Sequence, residues 1–187
     1  MLFKVEQHPD TWGLDEQLWR WFVKRAERDG RPVQVYHQSW RMFSMSSGAM
    51  RIGGAGAYGG LAGERGLHRL EWDHFRRVTP MVEVHVDVLP VAASYDGIRI
   101  QEEDVQEWAK ALGDHGGPPL SPVRTVGLRH VPTGILATCT GQETTQRNRM
   151  GAWTLLRSQL LHLQRTAADG QDAPPPVKHH DRPLGVW

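Results

Sequence analysis

The sequence predicts an α+β fold in which small mixed or antiparallel sheets pack against helices. Three observations lead there. Helical periodicity is confined to a few segments, the clearest running over Leu14 to Asp29 and from Thr144 to Leu163. Between them lie short apolar and β-branched runs separated by glycine and proline signals, most plainly at Pro132-Thr133-Gly134. The length of 187 residues, with 39% hydrophobic and 23% charged residues, suits one good core or two small ones.

Composition narrows the function classes. The net charge is +1, so the chain is no polycation, and any nucleic-acid contact must come from local Arg and His clusters. A single cysteine rules out an internal disulfide and fits a reducing cytosol. No apolar run approaches a membrane span, and Met1-Leu2-Phe3-Lys4 lacks a signal-peptide layout. A cytoplasmic protein with no membrane partner is therefore expected. Eight tryptophans are many for this length. Each fills a core or offers a stacking platform for a base.

Taken in order, Leu2 to Val5 reads as a short strand, and His8-Pro9-Asp10-Thr11 as a loop ending in capping residues. In the first helix Leu14, Leu18, Trp21, Phe22, Arg25 and Ala26 share a face, and Gly30 ends it. Pro32 to Tyr36 is a strand, with Met42 to Ile52 pairing beside it or a neighbour. Gly53 to Gly60 is glycine-rich, but its spacing fits no nucleotide-binding loop and no Lys-Ser/Thr follows. Asp96 to Ile100 reads as a short strand or loop. Glu102 to Leu112 is predicted as a helix, with acids at its start and Val105, Trp108, Ala109 and Leu112 on one face.

The most informative stretch runs from Ser121 to Leu163. Val123, Val126, Leu128 and His130 lie in a strand-like run, Pro132-Thr133-Gly134 turns, and Ile135 to Cys139 returns, giving a β-hairpin. A helix then opens at Thr144-Thr145-Gln146-Arg147-Asn148-Arg149, with apolar positions Trp153, Leu156, Leu160 and Leu163. Polar caps and cations cluster where hairpin meets helix.

That wording resembles the core of the bacterial class I peptide chain release factors, whose catalytic domain carries THxPTGIxxxC, then RSQHKNK and a long helix. The matching residues are His130 to Ile135, Cys139 and Gln146 to Arg149, running into Ala152, Leu155 and Leu156; the family's RSQH has become Glu143-Thr144-Thr145-Gln146. The resemblance continues at Trp19 to Phe22, Arg25 to Gly30, Ala57 to Leu61, Glu64 to Leu70, Arg76 to Thr79 and Val84 to Pro90. It implies two release-factor-like domains: a codon-recognition-like domain over 1–94, and a catalytic-type domain over 95–166. A linker spans 167–176, and the tail 174–187 docks back on the first domain, since Val177 to Arg182 resembles the family's VKDHRT segment. The family's helical first domain is expected to be missing.

Two loops depart from the family. Between His68-Arg69-Leu70 and Arg76-Arg77 the family places its stop-codon tripeptide, whereas here only Glu71-Trp72-Asp73-His74-Phe75 intervenes. A loop that has lost its length and its Ser or Thr cannot keep that base-edge readout. Trp72, His74 and Phe75 either stack on unpaired bases or fill a short hairpin. Ahead of the other hairpin, the family's Gly-Gly-Gln loop uses the Gln backbone N–H to stabilise developing negative charge on the reacting ester. The corresponding residues are Gly116, Gly117 and Pro118. Proline has no backbone N–H, so donor and side chain are both absent. One lost oxyanion donor costs about 2.7–4 kcal/mol. No intact catalytic residue is expected. Asp114 with His115 as an acid-oriented base, and Cys139 as nucleophile, are the weaker enzymatic readings.

The basic groups fall into two clusters: Arg65, His68, Arg69, Arg76 and Arg77, and Arg124, Arg129, His130, Arg147 and Arg149 with Arg157 and Arg165. Either can be solvated surface or can contact RNA phosphates. The resemblance favours RNA contact for the second, through Arg124, Arg129, His130, Gln146, Arg147, Asn148 and Arg149, with Asn148 and the exposed N–H groups at the helix start suiting phosphate. Glu143, replacing a family arginine, should weaken it. His179-His180-Asp181 lacks a second ligand cluster, so neither metal nor cofactor is expected. The reading implied is a translation factor that binds the ribosome, its rRNA and its A site, and also tRNA or mRNA, without standard hydrolysis. Its rivals are a peptidyl-tRNA hydrolase in ribosome rescue and a non-ribosomal RNA-binding protein.

Overall fold

A computed structural model describes residues 2–6, 14–41, 44–70, 82–92, 97–111, 123–169 and 176–180. In chain order the elements are β1 (Leu2–Glu6), α1 (Leu14–Arg28), β2 (Val33–Arg41), β3 (Ser44–Ile52), α2 (Ala57–Ala62), β4 (Gly66–Leu70) and β5 (Val82–Asp87). A 3₁₀ turn (Glu102–Asp104) then leads into β6 (Val105–Ala111), β7 (Arg124–His130), β8 (Leu136–Cys139), α3 (Thr145–Asp169) and β9 (Val177–His180). The mixed α+β class is as predicted. The chain divides into two compact units: Met1–Gln34 with Gln38–Val88 and Ala173–Trp187, and Val35–His37 with Leu89–Asp172.

The first unit is built on a six-stranded sheet of order β2-β3-β1-β5-β4-β9. β1 pairs antiparallel with β3 and β5, and β4 antiparallel with β5. On β5, Val82, Val84 and Val86 alternate inward and are fully buried, the period-2 pattern of a half-buried strand. α1 buries Leu18, Trp19, Phe22 and Ala26. Trp19 is buried beside Gly48, where an added Cβ would lie 2.6 Å from its ring. Trp21, placed by periodicity on the apolar face, stays half-exposed with the Arg25 guanidinium 5.2 Å from its ring centre. Gly30 closes the helix at φ 65°: its N–H reaches Glu27 O, and Arg31 N–H reaches Ala26 O. This is the paired-bond stop that a left-handed residue permits. β9 pairs parallel with β4, Leu67 opposite Val177 through Leu70 opposite His180.

The second unit is a three-stranded antiparallel sheet of order β6-β7-β8 covered by α3. Val126 stands opposite Cys139 and Leu128 opposite Ala137, and all four are buried. α3 meets that face with Ala152, Leu155, Leu156, Leu160 and Leu161. Leu163, expected on the buried stripe, is 47% exposed; the stripe turns through Leu160 and Leu161 instead.

The helix predicted over Glu102 to Leu112 is not formed. Glu102–Asp104 makes one 3₁₀ turn, and Val105–Ala111 is a strand paired residue by residue with β7. β6 is an edge strand with exposed residues on both faces, so it carries no alternating signal. Trp108 lies over Gly127 of β7, which has no side chain to displace it. Seven paired positions with β7 outweigh the spacing of four apolar residues.

Candidate nucleic-acid interface

The hairpin end is set by its turn. Gly134, at φ 71°, donates its N–H to His130 O at 2.8 Å, and His130 N–H reaches Ile135 O at 2.9 Å. His130 Nδ1 lies 2.8 Å from Thr133 Oγ1, which fixes the imidazole to the turn. Val131 N–H donates to Asp104 O, tying the hairpin to the 3₁₀ segment. Arg124 and Arg129, near the two ends of β7, are exposed, and among the described residues neither has a carboxylate partner.

α3 begins with a side-chain cap. Thr144 Oγ1 accepts from Arg147 N–H at 3.1 Å, and Thr144 O accepts the first helical bond, from Asn148 N–H. Asn148 itself points inward and is fully buried. Its Oδ1 accepts from Gln142 N–H at 3.0 Å and lies 3.4 Å from Cys139 Sγ, while its Nδ2 donates to Arg124 O at 2.9 Å. The expectation that Asn148 faces phosphate is corrected: its amide stitches helix, hairpin and loop together. A buried amide must find such partners, and the inward turn was hidden by flanking arginines that point out.

Those arginines are partly spent. Arg147 pairs with Glu143 one helical turn earlier, both well exposed. Arg149 pairs with Glu107 of β6 at 2.6 Å and lies 3.4 Å from Gln146 Oε1. The hydrogen bond from Arg149 to Glu107 and that carboxylate's charge raise the guanidinium pKa further. Sequence reasoning missed Glu107, because a helical reading of residues 102–112 gave no reason to set it beside α3. Of the arginines at the hairpin and the helix start, Arg124 and Arg129 therefore keep their charge without a carboxylate partner among the described residues. Cys139 is buried, and burial raises its thiol to about 11. A neutral thiol packed under a helix is no nucleophile.

In the first unit His68 is fully buried on β4. Its Nε2 lies 2.9 Å from Glu64 O and its Nδ1 3.0 Å from His180 Nε2 of β9, with the two rings nearly parallel. Burial lowers its pKa to about 4, the charges of His180 and Lys178 acting in the same sense, so the ring is neutral at pH 7. Placed with the decoding-loop residues from sequence, His68 belongs instead to the interior. Arg69 pairs with Glu83 at 2.7 Å. Glu64 takes Arg25 at 2.6 Å and Lys178 at 2.8 Å. Burial works to raise its pKa, but hydrogen bonds from Lys178 and Arg25 and their charges outweigh it, and the net shift is downward. Trp72, His74, Phe75, Arg76 and Arg77, and Gly116, Gly117 and Pro118, lie outside the described residues. Among the described residues no group of three His, Cys, Asp or Glu side chains could hold a metal ion, and no helix is long and apolar enough to cross a membrane.

No protein-family model matches the chain. It is 31% identical over 172 residues to peptide chain release factor 2 of Thermomicrobium roseum, covering 84% of this chain and 45% of that protein. It is 33% identical over 157 residues to peptide chain release factor 2 of Rhodococcus jostii, covering 80% and 42%. The chain thus spans under half the length of these curated relatives. Among solved structures, RF2 of Thermus thermophilus superposes with a TM-score of 0.79 at 23% identity, covering 91% of this chain and 50% of that one, a likeness of fold.

Proposed function

We propose, for a chain homologous to bacterial peptide chain release factor 2 and so a member of the class I release-factor family, a cytoplasmic translation factor that binds the ribosome without reading stop codons or releasing peptide at ordinary speed. The observation that carries this is Pro118 after Gly116-Gly117. An imino acid offers no N–H to an oxyanion, and such a donor is worth roughly a hundred- to a thousandfold in rate. The short stretch Glu71 to Phe75 supports the loss of codon reading. Binding to rRNA at or near the A site is supported by the exposed Arg124, beside the capped start of α3, and the exposed Arg129 towards the other end of β7. The first unit corresponds on this reading to the family's codon-recognition domain and the second to its catalytic domain.

Two assays test it. The purified chain should co-sediment with ribosomes at low salt and dissociate as salt rises, because phosphate contacts release counterions. Absence from the ribosome pellet at every salt concentration counts against the proposal. Release of labelled peptide from stalled complexes should not exceed buffer. Release that does so favours the second reading, ribosome rescue, for which retention of Gly116 and Gly117 is the supporting observation.

A further inference from the structure

Within the second unit, one side of α3 and the segment Ile98–Glu102 line an open cleft of about 700 Å³. Its walls carry Arg99, Arg149 and Arg157 with Trp153, Met150 and Ile98, and Glu102 also lines it. The Arg157 guanidinium stands 5.6 Å from the centre of the Trp153 ring. Arg99 and Arg157 are exposed, and among the described residues neither has a carboxylate partner. Arg149 is held in place by Glu107.

We propose that this cleft takes an unpaired nucleotide of single-stranded RNA, its base lying against Trp153 and its phosphates on Arg99 and Arg157. Three features select that ligand. The volume falls within the usual range for small-ligand sites, about 300–1,000 Å³. An aromatic ring beside unpaired guanidinium groups is the combination that holds bases and phosphates of single strands. Glu102 argues against a bare anion, which it would repel, and for a ligand that also brings N–H donors, as a base edge does. The inference rests on the RNA-binding reading above and gives it a subsite apart from Arg124 and Arg129.

The test is fluorescence anisotropy of a labelled ten-nucleotide single-stranded RNA of mixed sequence, with the full chain at moderate salt. Arg99→Glu with Arg157→Glu, both exposed positions, should weaken binding at least tenfold while circular dichroism stays unchanged. Trp153→Phe should retain most affinity and Trp153→Leu should lose severalfold, with ultraviolet crosslinks mapping to the 150–157 peptide of the wild-type chain. Equal affinity of the charge-reversed and wild-type chains overturns the proposal. So does full displacement by inorganic phosphate, which would mark a simple anion site, or preference for a poly-glutamate peptide over the RNA. The two levels separate cleanly. Ribosome binding that survives the charge reversal together with lost oligonucleotide binding retains both. Oligonucleotide binding through this cleft without ribosome association retains the cleft and rejects the ribosomal reading.

Discussion

Asn148 and His68 show how much a buried polar side chain decides. Asn148→Ala removes the bonds that the buried amide makes with Gln142 N–H and Arg124 O. A buried group left without its partner costs about 1–3 kcal/mol. The variant should therefore lose about 2–3 kcal/mol in urea unfolding, while the ribosome co-sedimentation proposed above stays the same per folded molecule. A selective loss of binding with unchanged stability would contradict the interior role. His68 has a folded-state pKa of about 4, below its ordinary 6.5. The unfolded chain takes up the proton first, so the stabilisation is complete above pH 6.5 and drains as pH falls towards 4. The slope for one proton is about 1.4 kcal/mol per pH unit. Glu64, also depressed, adds its loss only below its ordinary 4.5. Burial also lowers the pKa of His37, so stability measured from pH 7 to 4 should fall with at least that slope, and His68→Leu should reduce it. Residue identity at both positions was legible in the sequence, but orientation was not, because an Asn among arginines and a His beside an Arg look like surface.

At the scale of elements, α3 approaches β8 closely because Gly151 faces Cys139. A Cβ at Gly151 would lie 2.6 Å from the Cys139 sulfur. Alanine is the better helix former by about 1 kcal/mol, yet overpacking costs about 1–3 kcal/mol. Gly151→Ala should therefore destabilise, and adding Cys139→Ala should recover part of the loss. A double-mutant cycle with no coupling would show that the contact does not limit the packing. The end of α1, the hairpin and the start of α3 were readable, since each combines periodicity with a local signal: Gly30, Gly134 or Thr144. β6 was not. Its register depends on β7, and an exposed edge strand leaves no apolar period to read. The same blindness hid Glu107, and with it the neutralisation of Arg149.

For the whole molecule, the first unit is discontinuous: β9, from the C-terminal end, lies beside β4, from its middle. Lys178 of β9 bonds Glu64 and Gly63 O, and His180 meets His68. Removing residues 176–187 should expose β4 as an edge and strip those partners. Amide exchange should then accelerate at Gly66–Leu70 while Arg124–His130 keeps its protection. Equal acceleration in both would mean that the units unfold together. In the sequence, composition shows only a proline-rich spacer ahead of β9, and nothing local marks Leu67–Leu70 as its neighbour.

The strand order β5-β4-β9 also sets a timetable. During translation, β4 leaves the exit tunnel more than a hundred residues before its last neighbour. The second unit, whose sheet and helix come from the residues between, can finish first. Until β9 emerges, β4 waits with one flank open and His68 without its companion ring, so a chain stopped before residue 176 has one finished half and one unsealed.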